Sequence, residues 1–162
     1  MADNRSLVLF LCTENSARSI LAEAICNQKF GDRLHAFSAG SDPKGEVHPL
    51  ALSTLERNGL STDGLTSKSW DEFGDRSFDL VVTLCDSGKG RSCPGLAGQV
   101  PREHWIVPDP PTAEHPQGMF EAVYDALFEA MGLLAYGPDP SLPGRAQEAA
   151  RQLARRFAPR AI

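Results

Sequence analysis

A cysteine and an arginine bracket five residues in Cys12-Thr13-Glu14-Asn15-Ser16-Ala17-Arg18. The apolar run Leu7-Val8-Leu9-Phe10-Leu11 leads directly into this stretch, Ser19 follows it, and a helical pattern begins at Ile20. A strand that ends in Cys, turns tightly and opens into a helix aims successive backbone N–H groups into the turn. The helix N-terminus adds partial positive charge. Such a turn is a cradle for an oxyanion, and Arg18 supplies a planar fork of donors suited to a tetrahedral anion. The same field favours the thiolate of Cys12, so nucleophile and anionic substrate would share one electropositive pocket. Thr13, Glu14, Asn15, Ser16, Ala17 and Arg18 are therefore the candidate oxyanion-binding residues. Cys12 is the candidate nucleophile, and Ser19 is placed to hydrogen-bond its sulfur. The competing reading is a buried Cys closing an ordinary strand-to-helix turn, with Arg18 on the helix surface and Ser19 as a local cap.

The rest of the chain alternates between two periodicities. Residues 6–11 read as a buried strand and 19–30 as a helix with Leu21, Ala24, Ile25 and Phe30 inward. Residues 35–40 read as a second strand ending at Gly40, and Ser41 to Gly45 as a polar loop. Leu50, Leu52, Leu55 and Leu60 mark a helix that starts near Pro49. Residues 78–84 are the clearest strand, 86–101 a long mobile loop, and 104–107 a last short strand. Phe120, Val123, Leu127, Met131 and Leu134 predict a long helix, interrupted by Pro138, Pro140 and Pro143. Ala146, Ala149, Ala150, Leu153 and Phe157 predict a terminal helix. This order is that of an α/β fold, a parallel sheet covered on both faces and joined by right-handed crossovers. Ligands in such sheets bind beyond the carboxyl ends of the strands. Cys12 and Cys85 both fall at that edge.

A chain of 162 residues builds one good core but not two, so a single domain over residues 1–162 is expected, with a C-terminal helical extension from about 139 to 162. The net charge of −5 and the lack of a long basic run argue against nucleic acid as a partner. Arg145, Arg151, Arg155, Arg156 and Arg160 read as the solvated face of the last helix. The start of the chain carries no leader pattern, and Leu7–Leu11 is too short to span a bilayer. The expectation is a cytoplasmic monomer with no membrane partner. In a reducing compartment the four cysteines are catalytic, metal-binding or inert.

Cys85-Asp86-Ser87-Gly88-Lys89-Gly90-Arg91-Ser92-Cys93-Pro94 is the second informative stretch. One reading is redox, two thiols on a flexible loop able to close into a disulfide. A second is a metal site, but zinc-binding cysteines stand closer together and no His lies near before His104. The third is a pair of unrelated thiols. Cys26, within the apolar face of the first helix, reads as a small core residue. Asp109 sits between Pro108 and Pro110, which fix the backbone on both sides and aim its carboxyl group. Displacement at a tetrahedral oxyanion expels an oxygen that needs a proton, and Asp109 is the candidate acid. An Asp-Pro turn is the alternative.

The segment Val8 to Ser19 resembles the phosphate loop of the low-molecular-weight protein tyrosine phosphatase superfamily, and Asp109-Pro110 resembles that superfamily's general-acid motif. Thr66-Ser67-Lys68-Ser69, the strand end Val82-Thr83-Leu84-Cys85 and the pair Cys93-Pro94 are similar to the arsenate reductase branch. The likeness runs from about Leu7 to Leu134. It implies a three-layer domain with a four-stranded parallel sheet and no cofactor or metal. It also implies a reaction in which Cys12 attacks arsenate held by Arg18 and the loop amides while Asp109 protonates the leaving hydroxide. Cys85 then takes the sulfur of Cys12, Cys93 takes that of Cys85, and thioredoxin, or glutaredoxin with glutathione, resets the pair. The alternative within the superfamily is hydrolysis of phosphotyrosine through a phosphocysteine, using Cys12, Arg18 and Asp109 alone. Three departures stand out. Residue 14 is Glu where the family often has Gly. Cys85 and Cys93 are one residue further apart than usual. Where some members bind potassium, Asn15, Glu23 and Ser38 match, but Lys68 stands in the place of an Asp. A lysine ammonium there replaces the cation, so no potassium dependence is expected.

Overall fold

The computed structural model describes residues 4–73, 76–85 and 100–157. Four parallel strands, β1 (Ser6–Cys12), β2 (Leu34–Gly40), β3 (Leu80–Cys85) and β4 (Arg102–Ile106), lie in the order β2-β1-β3-β4. β1 pairs with β2 from Ser6↔Leu34 to Cys12↔Gly40, and with β3 from Val8↔Leu80 to Leu11↔Thr83. β3 pairs with β4 from Val81↔Arg102 to Cys85↔Ile106. Because β1 is central and covered on both faces, its apolar residues run without a break instead of alternating with polar ones.

The two faces are covered differently. Val8, Phe10, Val82 and Trp105 bury against α1 (Arg18–Lys29), α2 (Pro49–Arg57), α3 (Pro116–Tyr136) and α4 (Leu142–Phe157), which supply Ile20, Leu55, Leu127 and Leu153. Leu9, Leu11 and Val81 bury on the opposite face with Phe78 and with Phe73 from a short 3-10 helix, Trp70–Phe73. The result is a three-layer α/β domain with helical elements flanking a parallel sheet. The link from β2 to β3 therefore starts on one face with α2 and ends on the other. It crosses the carboxyl edge at residues 66–69, where the Gly40 N–H donates to the Lys68 carbonyl (2.9 Å) and Gly40 bridges to Ser69. The strand order reverses at this edge, between β1 and β3, and a crevice opens there.

Several boundaries differ from the sequence pattern for local reasons. β3 begins at Leu80 because Phe78 turns into the second core, while the Asp79 carboxylate accepts from the Leu7 N–H at 2.7 Å. The terminal helix begins at Leu142, ahead of Ala146, because a proline in the first turn leaves no hydrogen bond unmade. Asp139 prepares that turn by accepting from the Ser141 N–H (2.9 Å), and Ser141 Oγ accepts from the Gly144 N–H (3.0 Å). A buried bond ties α4 to the sheet, from the Trp105 indole N–H to the Ala146 carbonyl (3.0 Å). Of the expected loop, residues 86–99 lie outside the described residues. No helix among the described residues is long and apolar enough to cross a membrane.

Trp105 is fully buried and packs on Phe10 with ring centroids 5.9 Å apart. Trp105→Phe should lower stability in urea unfolding by about 1–3 kcal/mol, since it removes the buried indole hydrogen bond to the Ala146 carbonyl and trims the core.

Candidate active site

The turn after β1 is shaped by where its carbonyls go. The Thr13 carbonyl accepts from the Asp42 N–H (2.8 Å), Ser16 from His48 (2.8 Å) and Ala17 from Leu21 (2.9 Å). The Glu14 carbonyl takes the Lys44 N–H (3.0 Å) and the Ser67 hydroxyl (3.0 Å). In a planar trans peptide the N–H points opposite to the C=O. The N–H groups of Glu14, Asn15, Ala17 and Arg18 are thereby turned to the inner side of the loop. Among the described residues none of them donates to a protein acceptor. Gly40 makes the loop possible from outside. A Cβ there would lie 2.6 Å from the Thr13 carbonyl oxygen and 3.0 Å from the Asn15 nitrogen. β2 can end against the loop only without a side chain at that position.

Asn15 is the only non-glycine in the left-handed region among the described residues (φ 48°), a conformation Asn tolerates better than most residues. Its buried side chain organises the site. The Lys68 N–H donates to Oδ1 (2.9 Å), which fixes the amide orientation. Nδ2 then donates to Ser19 Oγ (2.7 Å) and to Ser38 Oγ (3.1 Å). Ser38 Oγ in turn donates to Glu23 Oε1 (2.5 Å). Ser19 Oγ, already accepting from Asn15, lies 2.8 Å from Cys12 Sγ. Toward a Cys12 thiolate the hydroxyl can only donate, the polarity that stabilises that form. Burial pushes the Glu23 carboxyl above its ordinary range, against the opposing Ser38 hydrogen bond and the Lys68 ammonium. Lys68 Nζ lies 3.9 Å from Glu23 Oε1 and donates to the Thr66 carbonyl (2.9 Å).

Arg18 is held at the first turn of α1 and is nearly buried. Its Nη1 donates to the Val107 carbonyl (3.0 Å), and Nη2 lies 3.8 Å from Asp109 Oδ1. The Asp109 carbonyl accepts the Thr112 N–H (3.2 Å) and hydroxyl (2.9 Å), fixing the backbone before a 3-10 helix, Pro110–Thr112. Cys12, Thr13, Glu14, Ser16, Ala17, Arg18 and Asp109 line one cavity of about 250 Å³. The structure thus brings together Cys12, Arg18, Asp109 and the loop, with Ser19 and Asn15 behind it. Cys85 ends β3 beside β1, and the pairing of Leu11 with Thr83 puts its backbone one step beyond the level of Cys12. Cys93 lies outside the described residues. Cys26 is buried in α1, and its thiol is pushed up to about 12, first by burial and then by Glu23. It is inert as a nucleophile. Sequence reasoning missed Gly40 and the Val107 carbonyl. A glycine closing a strand beside the loop was the available signal for the first. A main-chain carbonyl leaves none.

The model of the low molecular weight phosphotyrosine protein phosphatase family matches residues 7–137. The chain belongs to that family. It is similar to the arsenate reductase of Bacillus anthracis, 37% identical over 127 residues that span 78% of this chain and 92% of the relative. Among solved structures, an arsenate reductase in the phosphate binding state superposes with a TM-score of 0.66 at 28% identity, covering 78% of this chain and 93% of the other. The thioredoxin-dependent arsenate reductase of Corynebacterium glutamicum gives a TM-score of 0.60 at 26% identity, covering 80% of this chain and 61% of the other. α4 follows the part of the chain that the family model matches.

Two outcomes follow for this family member. Gly40→Ala should weaken oxyanion binding at least about tenfold, measured as phosphate protection of Cys12 from alkylation, because the loop must shift while the core remains. With the Lys68 ammonium beside Glu23, activity and Cys12 alkylation rate should be equal in sodium and potassium buffers. Clear activation by potassium would contradict this role for Lys68.

Proposed function

We propose that this chain reduces arsenate to arsenite through a cysteine nucleophile and an internal thiol–disulfide relay, in arsenic detoxification. The observation that carries the proposal is the Cys12 sulfur, hydrogen-bonded by Ser19 at 2.8 Å in a cavity lined by Arg18 and Asp109, with a second cysteine ending the neighbouring strand. The likeness to arsenate reductases supports it.

In this reading the loop amides and Arg18 hold arsenate, and the Cys12 thiolate attacks arsenic. One arsenic–oxygen bond breaks, and Asp109 gives its proton to the departing hydroxide, which leaves as water. The Cys85 thiolate then attacks Cys12 Sγ. The sulfur–arsenic bond breaks toward arsenic, whose two-electron reduction releases arsenite and leaves a Cys12–Cys85 disulfide. Cys93 attacks Cys85 and returns Cys12 as a thiolate, a good leaving group in its cradle. A thioredoxin-type dithiol, or glutaredoxin with glutathione, supplies the two electrons that reduce Cys85–Cys93. Thr13, Glu14, Asn15, Ser16 and Ala17 contribute main-chain atoms, and Ser19 holds the sulfur. The enzyme works as a cytoplasmic monomer in one domain over residues 1–162, extended by a helix from about 139. The packing of α4 against α3 and β4 supports that last point.

Phosphotyrosine hydrolysis would use Cys12, Arg18 and Asp109 but has no role for Cys85 and Cys93. Among the described residues no aromatic side chain lines the cavity to stack on a phenyl ring. Arsenate-dependent NADPH oxidation, run separately with thioredoxin and with glutaredoxin and glutathione, tests the assignment. Cys85→Ser and Cys93→Ser should lose arsenate turnover while any phosphatase activity is largely kept. Cys12→Ser should lose both, and Cys26→Ser neither. Sustained arsenate turnover by both relay variants would show the relay to be wrong.

A further inference from the structure

Among the described residues, two carboxylates, Glu14 and Asp109, and one guanidinium, Arg18, line the anion cavity. Asp109 lies beside that guanidinium, 3.8 Å from Arg18. Glu14 forms no ion pair among the described residues. Its main chain belongs to the oxyanion loop and its carbonyl is bound from outside by Lys44 and Ser67, whereas the residue itself is exposed at the mouth. The mechanism uses the Glu14 amide and has no use for its side chain. A negative charge there works against the ligand the loop is built to hold. The carboxylate is exposed on the loop that lines the cavity, so it acts on a bound anion through solvent, an interaction that salt weakens.

We propose that Glu14 is a specificity-determining residue whose carboxylate biases the site toward a free tetrahedral oxyanion and against phosphate esters borne on acidic scaffolds. The inference rests on the arsenate reading only for the identity of the free anion. Arsenate and phosphate carry the same charge, so Glu14 weakens both alike and the sulfur chemistry separates them. An ester on an acidic peptide brings further negative charges to the mouth, where Glu14 stands, and each adds repulsion. A like charge about 6–8 Å from the ligand, at an effective dielectric between protein and water, weakens binding by about three- to tenfold.

The test reads binding rather than turnover. Iodoacetamide alkylation of Cys12 is followed by peptide mass in wild type, Glu14→Gln and Glu14→Lys. The protectors are inorganic phosphate and two non-hydrolysable phosphonate analogues of a phosphotyrosine peptide, flanked by Glu or by Lys. Both variants keep the Glu14 amide. Glu14→Gln should bind phosphate about three- to tenfold more tightly at low ionic strength, with the gap closing near about 0.5 M salt. Wild type should favour the Lys-flanked peptide, Glu14→Gln should narrow that preference, and Glu14→Lys should reverse it. Unchanged phosphate affinity in both variants overturns the proposal, as does a change that is independent of salt and equal for both peptides. Arsenate turnover by wild type is assayed alongside. If it is absent while phosphate affinity shifts as stated, the arsenate reading fails and the role of Glu14 stands.

Discussion

One main-chain hydrogen bond, from the Lys68 N–H to Asn15 Oδ1, decides how the rest of the site is wired. It fixes which end of a fully buried amide donates. With that end fixed, Ser19 and Ser38 are both acceptors toward Asn15, and each turns its own proton outward. Ser38 donates to a carboxylate, and Ser19 is left to donate to the sulfur whenever Cys12 is a thiolate. The left-handed backbone of Asn15 costs about 1–2 kcal/mol. Three side-chain hydrogen bonds of about 1 kcal/mol each, made where an unpaired amide would be heavily penalised, outweigh that strain. The oxyanion loop is therefore held open by its surroundings before any anion arrives, which is the preorganisation that electrostatic catalysis requires.

The loop is also defined by what it does not do. The carbonyls of Thr13, Glu14 and Ser16 are occupied on the outside by residues 42, 44, 48 and 67, all of which belong to the chain between β2 and β3. The inner face is left with donors. Among the described residues, Arg18, set by Val107 and Asp109, is the one cationic side chain that lines the cavity beside those donors. A nucleophile with this environment serves any tetrahedral oxyanion. The choice among them falls to groups around the rim and to the fate of the sulfur after attack.

How much of this was legible in the sequence depended on range. The strand, turn and first helix are contiguous, and local rules put Cys12, Arg18 and Ser19 on one strand–turn–helix unit, as the structure has them. Asp109 could be nominated because prolines on both sides advertise a fixed backbone. Gly40 offered only the weak signal of a glycine at a strand end, because its importance is a clash with Thr13 and Asn15, which are far from it in sequence. The Val107 carbonyl carries no side-chain signature at all. The extension was expected from about 139, but its first turn, at Leu142, has no apolar signal and rests on the capping by Asp139 and Ser141. Resemblance suggested that Glu23, Ser38 and Lys68 belong together. Only coordinates reveal that they form one wire with Cys12 at its end. Of the relay, Cys85 has a placed backbone and Cys93 lies beyond the described residues.

The passage of residues 66–69 over the carboxyl edge has a consequence for how the molecule fails. This short stretch joins two cores on opposite sides of the sheet, and it also supplies the bonds that keep Asn15 and the Glu14 carbonyl in place. It makes few apolar contacts of its own, the mark of a segment that opens locally at lower cost than the whole domain. Such an opening would release the loop while the strands stayed zipped. Under mild heat or denaturant the molecule would then fall silent before it melts, and its working lifetime would be set by this crossing and not by the bulk of the core.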